Sequence, residues 1–157
     1  MSHRVRFDSL SQKAYLNLWR TYDRLKAIEE EVFTRYMLTP QQYNALRLLR
    51  GVHPGTMQTL ELGTRLVSRA PDMTRLLDKL EERQLIARNR RSDNRRVVDV
   101  GITDTGIELL VTMQDEVIDC HHRQLGHLSQ DELEELIRLL HRAREPHEGP
   151  ASSWPVG

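Results

Sequence analysis

The sequence predicts a mainly α protein with a minor β element, and three observations lead there. Apolar residues recur at helical spacing through most of the chain. The period switches to alternation only near positions 85–103. A short helix and a longer one, joined by a tight turn, immediately precede that switch. A helix–turn–helix followed by a hairpin makes a winged helix–turn–helix, here extended by long helices on both sides. A chain of 157 residues suits one domain with such extensions.

Each element has its own signal. Asp8 can cap a first helix in which Leu10, Ala14, Leu18, Tyr22, Leu25, Ile28 and Val32 fall near helical period. TPQQ at 39–42 is a capping box, with Thr39 as N-cap, Pro40 at the first helical position and Gln42 reaching back. Tyr43, Leu46 and Leu49 form the inner face of this second helix, Gly51 suits its end, and HPGT at 53–56 is a turn. Residues 59–67 read as a short helix. In the following helix Pro71 and Asp72 belong to the first turn, and Met73, Leu76, Leu77 and Leu80 form the buried stripe. LIARN and RVVDVGIT are strand-like and flank a basic loop, so they pair as a hairpin. Thr103 can cap the next helix, and Ser129 with Glu132 forms a second capping box that opens the last one. The outer helices are too apolar on one side for a lone domain and are expected to interlock with a second copy of the chain. The expected organisation is a dimerisation helix over 1–38, a winged helix–turn–helix over 39–104, dimerisation helices over 105–145 and a flexible tail over 146–157.

The 23 basic and 23 acidic side chains cancel in total but not locally. Residues 65–96 carry ten Lys or Arg against five acids, whereas 99–135 carry ten acids and one base, Arg123. The stretch RNRRSDNRRVV, 88–98, packs Arg88, Arg90, Arg91, Arg95 and Arg96 against a single acid, Asp93. Charge gathered on a turn between strands points to a polyanionic partner, and the alternative, a solvated run, suits helices better. The N-terminal end of the longer helix carries Ser68, Arg69, Asp72, Thr74 and Arg75, with Lys79 one turn on. Such a helix end fits a major groove, and an arginine hairpin fits the adjacent backbone or minor groove. Double-stranded DNA is the expected partner.

Residues 71–106 resemble the recognition helix and wing of the MarR family of bacterial transcriptional regulators. Thr74-Arg75, Leu80-Glu81, Leu85-Ile86, Arg88, Arg96, Val100, Ile102-Thr103 and Gly106 fall in the family's register, and 39–43 resemble the start of its second helix. Two positions depart. Gln84 stands where the family has Gly, so that helix end must strain or close differently. The wing acid falls on Asn94, with Asp93 one place earlier, which leaves open whether Arg95 or Arg96 enters the minor groove. The chain reads as a homodimeric repressor, and two-fold symmetry then predicts a pseudo-palindromic operator. The resemblance also implies relief by a small aromatic or phenolic effector, for which Trp19, Tyr22, Tyr36, Tyr43 and His53 are candidate lining residues. Aromatics at helical spacing that merely form core are the alternative.

Other classes find little support. No apolar run approaches the roughly 18 residues of a membrane span, and the N-terminus lacks a signal peptide's apolar core. The lone Cys120 cannot form an internal disulfide, so a reducing cytoplasm is expected and the thiol reads as structural. Cys120, His121, His122 and His127 lie close in sequence, yet no histidine pair among them is four apart and no CxxC or HExxH is present. No metal or other cofactor is expected. Nor is there a Gly-rich phosphate loop, a nucleophile elbow or a paired-carboxylate motif for catalysis. Glu81, Glu82 and Arg83 read as solvated, and Asp78 as the partner of a local base. The rival function is a winged-helix protein-interaction module that has lost DNA binding.

Overall fold

The computed structural model describes residues 6–68, 72–150 and 154. Its elements run α1 (Leu10–Arg35), α2 (Pro40–Val52), β1 (Met57–Gln58), α3 (Thr59–Arg65), α4 (Met73–Glu82), β2 (Ile86–Arg90), β3 (Val98–Ile102), α5 (Asp104–Leu125) and α6 (Gln130–Arg144). The strands form one antiparallel sheet in the order β1-β3-β2, with Arg88 opposite Val100 and Met57 on the far side of Val100. This is the winged helix–turn–helix with long flanking helices that the periodicity predicts. No helix among the described residues is long and apolar enough to cross a membrane.

Side-chain caps set most of the helix starts. Thr39 and Gln42 form the reciprocal box at α2, as do Ser129 and Glu132 at α6, and the Thr103 hydroxyl accepts from the Gly106 amide at α5. Three expectations shift by a residue or more. Ser9, not Asp8, caps α1, while Asp8 exchanges two hydrogen bonds with Gln12 in the first turn. Asp72 is the N-cap of α4 rather than part of its first turn, its carboxylate accepting from the Arg75 amide at 3.0 Å; Pro71 lies outside the described residues. The short helix ends at Arg65, and β1 precedes it, a strand too brief to show a period. A 3-10 turn, Glu145–His147, extends the C-terminal helix into the expected tail, most of whose last residues lie outside the description.

Helices α1 and α4 end alike. The Leu38 amide reaches back to the Phe33 carbonyl and the Met37 amide to Thr34; Leu85 reaches Leu80, and Gln84 reaches Glu81. Each is a Schellman closure, which puts the residue after the cap in the left-handed region. Those residues are Met37 (φ 53°) and Gln84 (φ 58°), neither of them glycine. The strain expected at Gln84 is therefore present, and it has a counterpart at Met37.

The core sits under the winged domain. Ala45, Leu46 and Leu49 of α2, Leu62 of α3, Leu76, Leu77 and Leu80 of α4, and Ile86, Val100 and Ile102 of the sheet are buried together. Phe33 from α1 and Leu110, Met113 and Val117 from α5 join them. The inner face expected for α1 is different. Val32 is buried as expected, together with Phe33, whereas Leu10 is 82% and Tyr22 60% exposed. Among the described residues only the C-terminal part of α1 is buried within its own chain. Val111 and Ile118 on α5 and Ile137 and Leu139 on α6 are also exposed, and α6 buries none of its residues.

Candidate nucleic-acid interface

Helix α4 buries Leu76, Leu77 and Leu80 and turns Thr74, Arg75 and Lys79 outward. This one-sided burial presents three polar or cationic groups on a rigid rod. Ser68 is exposed at the approach to α4, its hydroxyl accepting from Gln41 at 3.2 Å; Arg69 lies outside the described residues. A cleft of about 310 Å³ opens between α4 and the hairpin, lined in part by Thr74, Leu77, Arg88, Arg90 and Arg96. Of the residues predicted from sequence, Thr74 on α4 and Arg88, Arg90 and Arg96 on the hairpin thus line one cleft.

The five hairpin arginines divide into two groups. Arg88 turns inward onto the protein's own carboxylates, a correction to its expected exposure as a DNA contact. Its guanidinium lies 2.5 Å from Asp78 and donates to both oxygens of Glu81 at 3.1 Å. The Arg88 side chain is only 21% exposed. Its hydrogen bonds hold the Glu81 carboxyl below the ordinary carboxylate range, and Glu81, chiefly, pushes Arg88 up in return. Asp78 does pair with a local base, as expected, whereas Glu81 is not merely solvated. Arg91 is likewise taken up, donating to both oxygens of Asp99 at 2.9 and 3.2 Å across the hairpin. Opposite-charge pairing within the sheet face explains this placement.

The remaining three serve the tip. Arg90 donates to the Arg95 carbonyl at 3.1 Å. The Asn94 side-chain oxygen accepts from the Arg96 amide at 3.1 Å, and its carbonyl accepts from Val97. Asn94 thereby builds an Asx turn without a charged group. Arg95 and Arg96 are exposed, and among the described residues neither guanidinium has a hydrogen-bond or ion-pair partner. A further correction concerns Arg83, expected to be solvated. It donates to the carbonyls of Met37 at 2.8 Å and Tyr36 at 3.1 Å.

Of the five aromatic candidates for an effector pocket, two come together. Tyr22 and Tyr43 line a cleft of about 400 Å³ between α1, α2, α5 and the segment before α4, with Leu25, Glu29, His121 and Gln124. Trp19 instead sits exposed beside Tyr15, ring centres 6.2 Å apart, and the Tyr36 phenol bonds Glu116. His53 caps α2 away from this cleft. Glu29 was missed, although it lies seven residues from Tyr22 and four from Leu25, on one helical face. Burial pushes its carboxyl up, opposed by His121, and burial also raises Tyr43. Cys120 is buried beside this wall, and burial and then Glu29 raise its thiol above the ordinary value. That disfavours the reactive thiolate.

Comparison with known proteins extends the match beyond geometry. Residues 38–98 match the MarR family. The crystal structure of a MarR transcription factor from Planctomyces limnophilus is 58% identical, covers 87% of this chain and 99% of its own, and superposes with a TM-score of 0.70. The HTH-type transcriptional regulator MhqR of Bacillus subtilis (strain 168) is 26% identical over 84% of this chain and 90% of its own. BpsR of Bordetella bronchiseptica, whose structure concerns regulation of DNA binding by 6-hydroxynicotinic acid, has the same fold. It gives a TM-score of 0.72 at 23% identity over 83% of this chain and 98% of its own. Outward polar groups on α4, free arginines on the wing and this degree of identity converge: the chain belongs to the MarR family, and it is a DNA-binding transcriptional regulator, not an enzyme.

Proposed function

We propose that the chain acts in the cytoplasm as a homodimeric repressor on a pseudo-palindromic operator. Residues 1–38 and 105–145 join the copies, and 39–104 grip DNA. The observation that carries this is the exposure of Arg95 and Arg96 beside Thr74, Arg75 and Lys79, on a hairpin that Arg88 fastens to α4. Helix α4 enters a major groove, with Arg75 reading base edges, while Arg95 or Arg96 enters the adjacent minor groove. Arg88 and Arg91 set the shape of the wing rather than contacting phosphate. The exposed apolar residues of α1, α5 and α6 find their cover in the second copy, which sets half-sites about 10–10.5 bp apart.

A small aromatic effector is proposed for the Tyr22–Tyr43 cleft. A compound seated between α1, α2 and α5 acts by preferring a dimer whose two α4 helices no longer match the operator. The likeness to BpsR, whose DNA binding 6-hydroxynicotinic acid regulates, supports this reading.

The test is selection of bound sequences from a random duplex pool, followed by anisotropy titrations on the selected and on random duplex. Arg75→Ala is expected to weaken the selected site by roughly five- to a hundredfold, the cost of about one base contact, with random duplex nearly unchanged. Small aromatic compounds added to the same titrations should release the selected site. Equal loss on both duplexes would remove base reading from Arg75, and no enrichment from the pool would remove the operator.

A further inference from the structure

We propose that Arg83 is a positioning residue for DNA recognition: it fixes the angle of α4 against the helices that join the copies, and so sets the operator spacing the dimer accepts. The inference rests on the paired-subunit reading above. Arg83 is the C-cap of α4, the helix proposed to enter the groove. Its half-buried guanidinium is held by main-chain carbonyls and not by an acid. One nitrogen donates to the Met37 carbonyl at 2.8 Å and another to Tyr36 at 3.1 Å. Those carbonyls belong to the cap of α1 and the residue after it, where a helix end leaves acceptors unfilled and favours a cation.

The same three-residue turn holds the other dimerisation helix. The Gln84 carbonyl accepts from the Thr103 hydroxyl at 2.6 Å, and the Leu85 carbonyl accepts from the Thr103 amide at 3.0 Å. Thr103 is the N-cap of α5. At Gly106, in the first turn of α5, an added Cβ would collide with the Leu85 carbonyl, so α5 sits directly on this turn. Residues 83–85 therefore bond the end of α4 to the end of α1 and the start of α5. The α1 end is in turn tied to α5, because Arg35 donates to Glu116 at 2.6 Å and the Tyr36 phenol bonds the same carboxylate.

Among the described residues Arg83 is the one side chain that links the end of α4 to the end of α1 through hydrogen bonds. Both its acceptors are main-chain carbonyls, so no substitution at 36 or 37 deletes them. Loss of the fork frees α4 to swing about the Thr103 contacts while its DNA-facing residues stay intact. One base pair of added spacing turns a half-site by roughly 34–36° and moves it about 3.4 Å, so a looser α4 tolerates spacings that a fixed one rejects.

The experiment compares the full-length protein with Arg83→Met and Arg83→Lys on a selected operator, on versions with one or two base pairs added or removed at its centre, and on random duplex. The wild type is expected to prefer its own spacing by a few-fold to about thirtyfold. Arg83→Met should lose most of that preference while keeping random-duplex affinity within about twofold, and Arg83→Lys should recover part of it. A purely structural cap would change the melting temperature without changing the spacing profile. An unaltered profile in Arg83→Met overturns the proposal, and so does equal loss on every duplex. Should Arg83→Met fail to fold, Arg83→Lys decides: a broadened profile supports the role and an unaltered one overturns it. A wild type indifferent to spacing would instead refute the paired-subunit reading, and the role of Arg83 with it.

Discussion

Gln84 holds a left-handed backbone at the end of α4, where its side chain is exposed and its carbonyl, not its amide group, makes the contact with Thr103. A Cβ in that conformation costs roughly 1–2 kcal/mol, and glycine returns part of the gain through its freer unfolded chain. Gln84→Gly is therefore expected to raise stability by roughly 0.5–1 kcal/mol, read as a higher denaturant midpoint with unchanged slope. Gln84→Ala should bring no comparable gain, since alanine keeps the Cβ. This strain was legible because the family resemblance marks the position as glycine. The equivalent strain at Met37 was not, because no motif near 37 distinguishes a Schellman closure from a plain helix end. Arg83 shows the same limit. Its charge is visible in the chain, but its acceptors lie 46 and 47 residues away on carbonyls that carry no sequence signal.

At the scale of the element, the wing is a hairpin fastened at its base and open at its tip. Arg88 faces α4 from β2 and meets Asp78 and Glu81 on successive turns of that helix, while Arg91 and Asp99 tie the two strands together. The arginine cluster announced the element, but which arginines it would use internally depended on strand register and on the helix beneath. Arg88→Met keeps the aliphatic stem and removes the fork. The two carboxylates are more than a third exposed, so the expected cost is only about 1 kcal/mol after screening. Hydrogen exchange should find it in the β2 and β3 amides, roughly fivefold faster, with the α5 amides unchanged. The same bond carries a pH dependence. Because Glu81 is held below its unfolded value, its contribution is complete above the ordinary carboxylate range and is lost as pH falls through the lowered value. Wild type and Arg88→Met should therefore converge in acid, not in base.

For the whole molecule, the long outer helices explain why periodicity alone pointed to a second copy. Apolar positions on α1 recur as an inner face should, yet within one chain only its C-terminal part finds cover, and α6 buries nothing. The order of helices and the hairpin were legible because each has its own period and caps. The proposed effector cleft was only half legible, since it gathers Tyr22, Glu29, Tyr43 and His121 from three helices whose packing no local pattern encodes. In the proposed dimer two wings present four unpaired arginines, two per copy, to the phosphate backbone. The most direct test is the salt dependence of duplex affinity for the wild type and for the Arg95→Ala/Arg96→Ala double variant. If each of those four side chains neutralises one phosphate, the log–log slope of the wild type is steeper by up to about 3.6. Equal slopes in the two proteins, or wild-type binding insensitive to salt, would contradict the wing's role in gripping DNA.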